Sequence, residues 1–292
     1  MKYACIASNR AQFPVKMMCR VLGVSRSGFY ASCGRELSKR GREDERLLVR
    51  IRTIHRQSRR RYGSPRVHEE LSALGIRCGK KRVERLMRTD GLRAKKRRRF
   101  RVTTQSDHQY PAAANLLARQ FAVGKTATGS AWAADLTYLP TRAGWLYLAV
   151  VLDVATRRVV GWSLSSSLHH DVALAALDMA LEREEGKSGI HHSDRGVQYS
   201  CNAYRDRLAT HGITVSMSRR GNCWDNAVVE SFMATIKWEL VADSNWQTHK
   251  QAAHDIFEYI EIWYNRRRRH SSLGYLTPAE FAAQITQDRK IA

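Results

Sequence analysis

Three acidic residues stand where a carboxylate needs a partner. Asp135 lies inside the apolar stretch AWAADLTYLP, Asp194 ends a short predicted strand, and Glu230 lies on the last predicted helix of the same region. A charge in apolar surroundings is costly unless another charge compensates it. Carboxylates with a pKa near ~4 are ionised at neutral pH, and such hard oxygen ligands suit Mg²⁺ or Mn²⁺. The pattern predicts that these three acids share one cation-binding pocket.

A lysine accompanies the third acid. At about 100° per residue, Glu230 and Lys237 lie close together in angle on the edge of the helix's apolar stripe. We interpret Glu230 as a metal ligand and Lys237 as a phosphate contact. The alternative is an ordinary surface glutamate with a distant lysine. The stripe itself consists of Val229, Phe232, Ile236 and Leu240.

The elements that must position these residues alternate strands with helices. Two short links, TRAG and VATR, suit antiparallel hairpins. The predicted order is three antiparallel strands followed by strands alternating with helices, which implies a mixed five-stranded sheet flanked by helices, an α/β arrangement. The predicted strands span 131–140, 144–156, 157–165, GIHHSD and ITVSMS, and the predicted helices span 169–186, CNAYRDRLATHG and about 225–241.

The net charge of +23 is confined to one part of the chain. Residues 1–128 contain 32 Lys and Arg against 9 Asp and Glu, whereas residues 129–292 contain 18 of each. So basic a segment favours a polyanionic partner, and we expect nucleic acid. A solubilising surface or a membrane-surface patch is the alternative. The longest clean apolar run, LYLAVVL, is too short to span a bilayer, so we expect a cytoplasmic protein.

The basic segment contains two predicted helix-turn-helix units, at about 13–32 and 62–92. In the first, Ser25 is placed to cap the second helix. In the second, Ser64 is the predicted N-cap and Pro65 the first helical residue, and a helix from Gly79 to Asp90 suits a DNA major groove. A plain helical hairpin with a solvated basic face remains the alternative. The basic residues of that second helix are Lys80, Lys81, Arg82, Arg85 and Arg88.

Four regions follow from these patterns. A helical DNA-binding region spans 1–93, and a basic linker with one short helix near 113–121 spans 94–128. A catalytic core spans 129–242, and a helical extension spans 243–292. The linker begins with Lys95, Lys96, Arg97, Arg98 and Arg99, a run that can follow phosphates without reading bases.

Other polar residues have local interpretations. Asp153 suits a turn, and His192 a hydrogen-bonded structural role more than a substrate contact. Asp225 and Asn226 suit an N-cap, although Asn226 could instead support the site. Trp224 fits either core packing or a base-stacking contact. Arg219 and Arg220 precede a glycine, close enough to the last helix to grip a DNA strand.

The acids and their surroundings also resemble a known family. Asp194 and Glu230 are separated by 35 residues, as in the D-D-35-E pattern of transposases similar to retroviral integrases. The insertion-sequence-three family of bacterial transposases is resembled more specifically, over about residues 13–281, and Lys237 matches the basic residue of that family. The words that carry this likeness are DLTYLP, YLAVVLDVATRRVVGW, HSDRGVQYSC, SMSRRGNCWDNAVVESF, IKWEL and YIEIWYNRRRRHSSLGYLTPAEF.

The resemblance implies an RNase H-like core in which Asp135, Asp194 and Glu230 ligate two Mg²⁺ ions, with Mn²⁺ as a substitute. It implies hydrolysis at an element end and then attack of the freed 3′-OH on a second strand, which in this family first joins the two ends of one element. The expected partners are terminal inverted repeats, target DNA and further copies of the chain, at the bacterial nucleoid. Fusion to, or assembly with, an upstream-frame product is a further expectation.

Two other functions fit the same residues. A non-catalytic DNA-binding regulator would bind DNA without strand transfer. A nuclease would hydrolyse DNA and never join it.

Overall fold

The computed structural model describes residues 1–34, 38–95, 113–121, 131–184, 188–219 and 222–291. The chain forms two units, Met1–Lys95 and Lys96–Ala292. Among the helices of the described ranges, none is both long enough and apolar enough to cross a membrane.

The first unit is helical, and both predicted helix pairs are present. The mixed-charge helix expected between them is also found. Gly23 and Gly75, with φ of 62° and 75°, allow the turns at which the first helix of each pair ends. The helices are α1 Lys2–Asn9, α2 Val15–Val21, α3 Arg26–Cys33, α4 Lys39–Gln57, α5 Ser64–Ala73 and α6 Lys80–Thr89.

One predicted cap is right and one is wrong. Ser25 caps α3, because its Oγ accepts a hydrogen bond from the Gly28 amide at 3.0 Å. At α5 the N-cap is Gly63, and Ser64 and Pro65 are the first two helical residues. Ser64 makes no capping bond there. The helix tolerates this because proline lacks only an amide hydrogen that the first turn cannot use in any case.

The second unit contains the predicted mixed five-stranded sheet, in the order β3-β2-β1-β4-β5. The first three strands pair antiparallel, and β4 and β5 run parallel to β1. The prediction of three antiparallel strands followed by alternating strands and helices is therefore confirmed. The strands are β1 Ala131–Thr141, β2 Gly144–Asp153, β3 Val159–Ser165, β4 Ile190–Ser193 and β5 Thr214–Met217.

Helices cover both faces of this sheet. Leu177 and Leu208 pack with Trp132 on one face, and Ile236 and Ile256 pack with Val150 on the other. The predicted stripe of the last core helix is buried, as expected. The helices of this unit are α7 Asp171–Arg183, α8 Val197–Ser200, α9 Asn202–Thr210, α10 Ala227–Glu239, α11 His249–Phe257 and α12 Pro278–Ile291, with a π-helix at Glu258–Tyr264.

The short helix predicted near 113–121 is absent; these residues form a turn along β5. The Leu116 amide donates to Ser216 Oγ at 2.9 Å, and the Ala114 carbonyl accepts from the Met217 amide at 3.3 Å. Leu117 enters the core. Because these backbone groups bond to β5 and its side chains, they are not used for helical hydrogen bonds.

A buried ion pair joins α10 to the C-terminal segment. Arg268 donates to both oxygens of Glu239 at 2.9–3.1 Å, and both side chains are less than a tenth exposed. Tyr259 of the π-helix donates to the same carboxylate at 2.9 Å. The C-terminal segment is therefore built into the structure that holds α10.

Candidate active site

The sheet brings two of the three acids to one edge. β1 and β4 pair only as far as Ala133 and His192, and beyond that point β1 continues alone. Asp135 lies two residues past the last pair, and Asp194 directly follows the end of β4. Parallel strands that part in this way place both carboxylates beside the same opening.

The third acid comes from α10. This helix packs on β1 through Val229, Phe232 and Ile236, all buried. Glu230 is in its first turn and exposed, whereas Lys237 is near its end and partly buried. The strand and the helix thus present their polar side chains to a common site from opposite sides.

Electrostatics shows that these groups are neighbours. Burial first, and then the charge of Asp194, raise the pKa of Asp135 to about 8, and Glu230 contributes in the same direction. Burial and Asp194 also raise the pKa of Glu230. Burial lowers the pKa of the Lys237 ammonium, and Asp135 opposes that shift. Three carboxylates and one lysine therefore lie in one another's electric field.

The three carboxylates are close but not in mutual contact. Their oxygens do not all lie within 4.8 Å of one another, a separation that two other groups of the described residues do meet. A single ion does not touch all three acids in this arrangement. Ions that each bridge two of the acids fit it better. The two compact groups are His169, His170 and Asp171, and His254, Asp255 and Glu258.

Each aspartate is oriented by a nearby backbone amide. Asp135 Oδ1 accepts from the Leu136 amide at 2.8 Å, and Asp194 Oδ1 accepts from the Gly196 amide at 2.8 Å. A Cβ at Gly196 would lie 2.9 Å from Asp194 Oδ1, so glycine keeps this turn compact. The buried Tyr199 lies beside both acids. Burial, together with these negative neighbours, raises its pKa well above the usual range, so its hydroxyl stays neutral.

His192 has the predicted structural role. Its ring nitrogens hydrogen-bond with Ser216 Oγ at 2.8 Å and Ser218 Oγ at 3.1 Å, and it is fully buried. Burial lowers its pKa to about 4, so the ring is neutral at physiological pH. Asp153 also has its predicted turn role, since its Oδ1 accepts from the amide and hydroxyl of Thr156 at 2.7 Å.

The structure corrects the predictions around the start of α10. Arg219, predicted to contact DNA, binds Asp225 with its amide, Nε and Nη2 at 2.9–3.0 Å. Arg119 donates to the same carboxylate at 2.8 Å. Asp225 is fully buried, so it is the core of an ion-pair cluster and not a helix cap. Trp224 is 68% exposed, which excludes the core-packing interpretation. Arg220 lies outside the described residues.

Asn226 occupies the N-cap position of α10 but makes no capping bond. Its Nδ2 donates instead to the carbonyl of Ala134 at 3.0 Å, and its side chain is buried. Sequence reasoning identified both residues of the Asp225–Asn226 pair without their contacts. The partners of this pair are Arg119, 106 residues away from Asp225, and Ala134, 92 residues away from Asn226.

In the helical unit, the predicted DNA contacts on α6 divide into two groups. Arg82 and Arg85 both donate to Asp44 of α4 at 2.6 Å, because α4 packs beside α6. Lys80, Lys81 and Arg88 are exposed. The first of these lies 3.9 Å from Glu69. Lys96, Arg97, Arg98 and Arg99 lie outside the described residues.

A second basic area forms where α4 ends. Arg59 and Arg60 adopt left-handed backbone conformations, with φ of 50° and 61°. The Lys95 amide donates to the Arg60 carbonyl at 3.2 Å, and His55 bonds the Arg93 carbonyl at 3.2 Å. The chain after α6 is thereby held against the end of α4. We call the group Arg56, Arg59, Arg60, Arg93 and Lys95 the α4-end surface; its four arginines are exposed.

Comparison with known proteins decides the family. The description "Integrase core domain" matches residues 125–223 and again 211–278, and "HTH-like domain" matches residues 42–100. The Shigella sonnei protein "Insertion element IS600 uncharacterized 31 kDa protein" is 45% identical over 92% of this chain and 99% of its own. "Transposase InsF for insertion sequence IS3A" of Escherichia coli K12 is 40% identical over 96% of this chain and 98% of its own. The chain belongs to the insertion-sequence-three (IS3) family of transposases.

This transposase is therefore a DDE-type polynucleotidyl transferase of DNA transposition, and the predicted RNase H-like fold and integrase core are confirmed. Among solved structures, the HTLV-2 integrase catalytic core domain in complex with magnesium superposes with a TM-score of 0.41 at 15% identity, over 52% of this chain and 95% of that one. The BIV integrase catalytic core domain gives a TM-score of 0.42 at 18% identity, over 56% and 98%.

Proposed function

We propose that this transposase cleaves and rejoins DNA strands at the ends of an insertion sequence, with Asp135, Asp194 and Glu230 holding divalent metal ions. The observation that carries the proposal is the mutual effect of the three carboxylates on their pKa values. A buried aspartate beside two further acids is costly in a metal-free protein. Functional sites are where such costs are tolerated.

The donor set fits Mg²⁺ or Mn²⁺. All three side chains offer hard oxygen atoms, and Lys237 supplies only one positive charge against three carboxylates. Asp135 and Asp194 would hold one ion and Asp135 and Glu230, or Asp194 and Glu230, the other. When bound, such ions activate an attacking oxygen and stabilise a departing one during phosphoryl transfer.

The protein's own groups have separate tasks. The Leu136 and Gly196 amides orient the two aspartates, and the neutral Tyr199 hydroxyl closes the site from inside without adding charge. Lys237, partly buried beside Asp135, is placed to contact a phosphate of the strand being cut.

DNA is the partner that the charge distribution favours. The α4-end surface joins basic side chains from two segments of the helical unit, and its position suits contact with the phosphate backbone. Terminal inverted repeats would be held there and on α6, and target DNA at the catalytic core. Because two element ends must be joined, two or more copies of the chain, alone or with an upstream-frame product, would assemble on DNA in the bacterial nucleoid.

The test is incubation with labelled element ends and Mg²⁺, followed by separation of the DNA products. Joined strands support transposition, cleaved but unjoined strands support a nuclease, and intact DNA supports a regulator. Asp135→Asn should abolish both products while DNA affinity stays within about twofold of wild type, since it removes a carboxylate of the site and no basic residue. Loss of binding in that variant would show that Asp135 is structural.

A further inference from the structure

The start of α10 is fixed on two sides by neighbouring residues. Asp225 is bound by Arg219 of the same loop and by Arg119 of the segment along β5. Asn226 faces β1, where its Nδ2 donates to the Ala134 carbonyl. Asp225 thus fixes the loop before α10, and Asn226 connects the helix itself to the sheet.

The Asn226 contact lies where the two halves of the carboxylate site meet. Ala134 is one residue past the last β1–β4 pair, and the next residue is Asp135. Asn226 and Glu230 are four residues apart, and residues at this spacing lie on one side of a helix. One hydrogen bond at 3.0 Å therefore connects the peptide before one acid to the helical turn before another.

We propose that Asn226 is a positioning residue that sets the separation between Asp135 and Glu230. The inference rests on the proposed function, in which these two side chains hold divalent ions together. An amide meets the requirements of the position, because it donates to a carbonyl and adds no charge beside three acids. Groups that orient the ligands of a metal affect binding through geometry and not through contact with the ion.

The other amide atom supports a role beyond folding. Asn226 Oδ1 is buried and finds no hydrogen-bond partner in the structure of the described residues. An unsatisfied buried acceptor lowers stability, and a position chosen only for stability would avoid it. Such departures from local optimality concentrate at functional sites.

The chain offers a matched control in Asn265. This residue is also buried, and it joins a helical segment to an edge strand through two backbone bonds to Val159, at 2.9 and 3.0 Å. It makes no contact with the three acids in the hydrogen bonds of that region. Asn226→Leu and Asn265→Leu both keep the approximate side-chain volume and remove the donor, and Asn226→Ala serves if the leucine variant does not fold.

The measurement is the unfolding temperature of the full chain during titration with MnCl₂, without DNA. Wild type and Asn265→Leu should show the same midpoint concentration, even if the control unfolds at a lower temperature. For Asn226→Leu the midpoint should rise about 10- to 100-fold, the range for lost groups that orient metal ligands. Strand transfer should fall on the order of 100-fold, while binding of DNA in EDTA is unchanged.

Two results overturn the proposal in distinguishable ways. If wild type responds to Mn²⁺ and Asn226→Leu keeps the wild-type midpoint, as Asn265→Leu does, Asn226 has only a structural role and the proposed function stands. If wild type itself shows neither a shift in unfolding temperature nor DNA cleavage, the metal-dependent function fails, and this inference fails with it.

Discussion

Asp135 makes the stability of the metal-free protein depend on pH. Its folded-state pKa is about 8, raised by burial and by Asp194, against about 4 in an unfolded chain. Between these values the folded state binds the proton more tightly. The free energy of unfolding in EDTA should therefore decrease as the pH rises from about 5 to 8. Asp135→Asn should abolish much of this decrease, as measured by thermal unfolding at several pH values.

The control for this prediction is Asp206→Asn, at an exposed position of α9. It should keep the wild-type dependence on pH. An Asp135→Asn variant with the full wild-type slope would mean that the carboxyl group is not held protonated among other acids.

Arg219 is a second residue whose role can be measured. Its guanidinium satisfies both oxygens of the fully buried Asp225. Arg219→Ala leaves that carboxylate with Arg119 and one backbone amide, so we expect a loss of about 1–3 kcal/mol in the free energy of unfolding. Denaturant unfolding measures this loss, and Arg266→Ala, at an exposed arginine, should show little change. Unchanged stability with weaker DNA binding would restore the original prediction of a DNA contact.

Sequence reasoning succeeded at single residues whose environment is local. Ser25 as a cap and Asp153 in a turn are examples, because their partners lie three residues away. It failed where the partner is distant in sequence. Arg82 and Arg85 have the appearance of a DNA-reading face, and only the packing of α4 against α6 reveals Asp44 as their partner.

At the scale of elements, periodicity identified the strands and long helices because each has one buried face. The five strands and α10 follow the predicted alternation and stripe. The segment 113–121 was predicted as a helix and is a turn. Its backbone is held by Ser216 and Met217 of a strand about 100 residues away, and no local pattern contains that information.

The α4-end surface carries the prediction that belongs to this scale. Arg59→Ala combined with Arg60→Ala should weaken binding to any DNA sequence and reduce the slope of log K against log salt by about 2, since each phosphate contact contributes about one unit. The matched variant is Arg82→Ala combined with Arg85→Ala, which removes the same charge from residues already neutralised by Asp44.

That matched variant should lose stability and change the salt slope less. Binding titrations at four or more salt concentrations measure both slopes. Equal slopes for the two double variants, or a larger reduction for Arg82 and Arg85, would place the main DNA surface on α6.

At the scale of the whole molecule, charge and chemistry belong to different units. Residues 1–95 contain 25 Lys and Arg against 8 Asp and Glu, while the three acids of the proposed site lie in the other unit. The first unit also has its own buried residues, among them Ile51, Val67 and Val83. Binding of DNA and binding of metal ions should therefore be separable.

A fragment of residues 1–95 should fold by itself, with the helical circular dichroism and single unfolding transition expected for its six helices. It should keep most of the salt-dependent DNA affinity of the full chain, because it holds most of the excess positive charge. A fragment of residues 113–292 should keep the Mn²⁺-dependent rise in unfolding temperature, since Asp135, Asp194, Glu230 and their supporting contacts all lie within it. If the first fragment is unfolded, or the second does not respond to Mn²⁺ although the full chain does, the two functions depend on contacts between the units, and the separation of binding from chemistry does not hold.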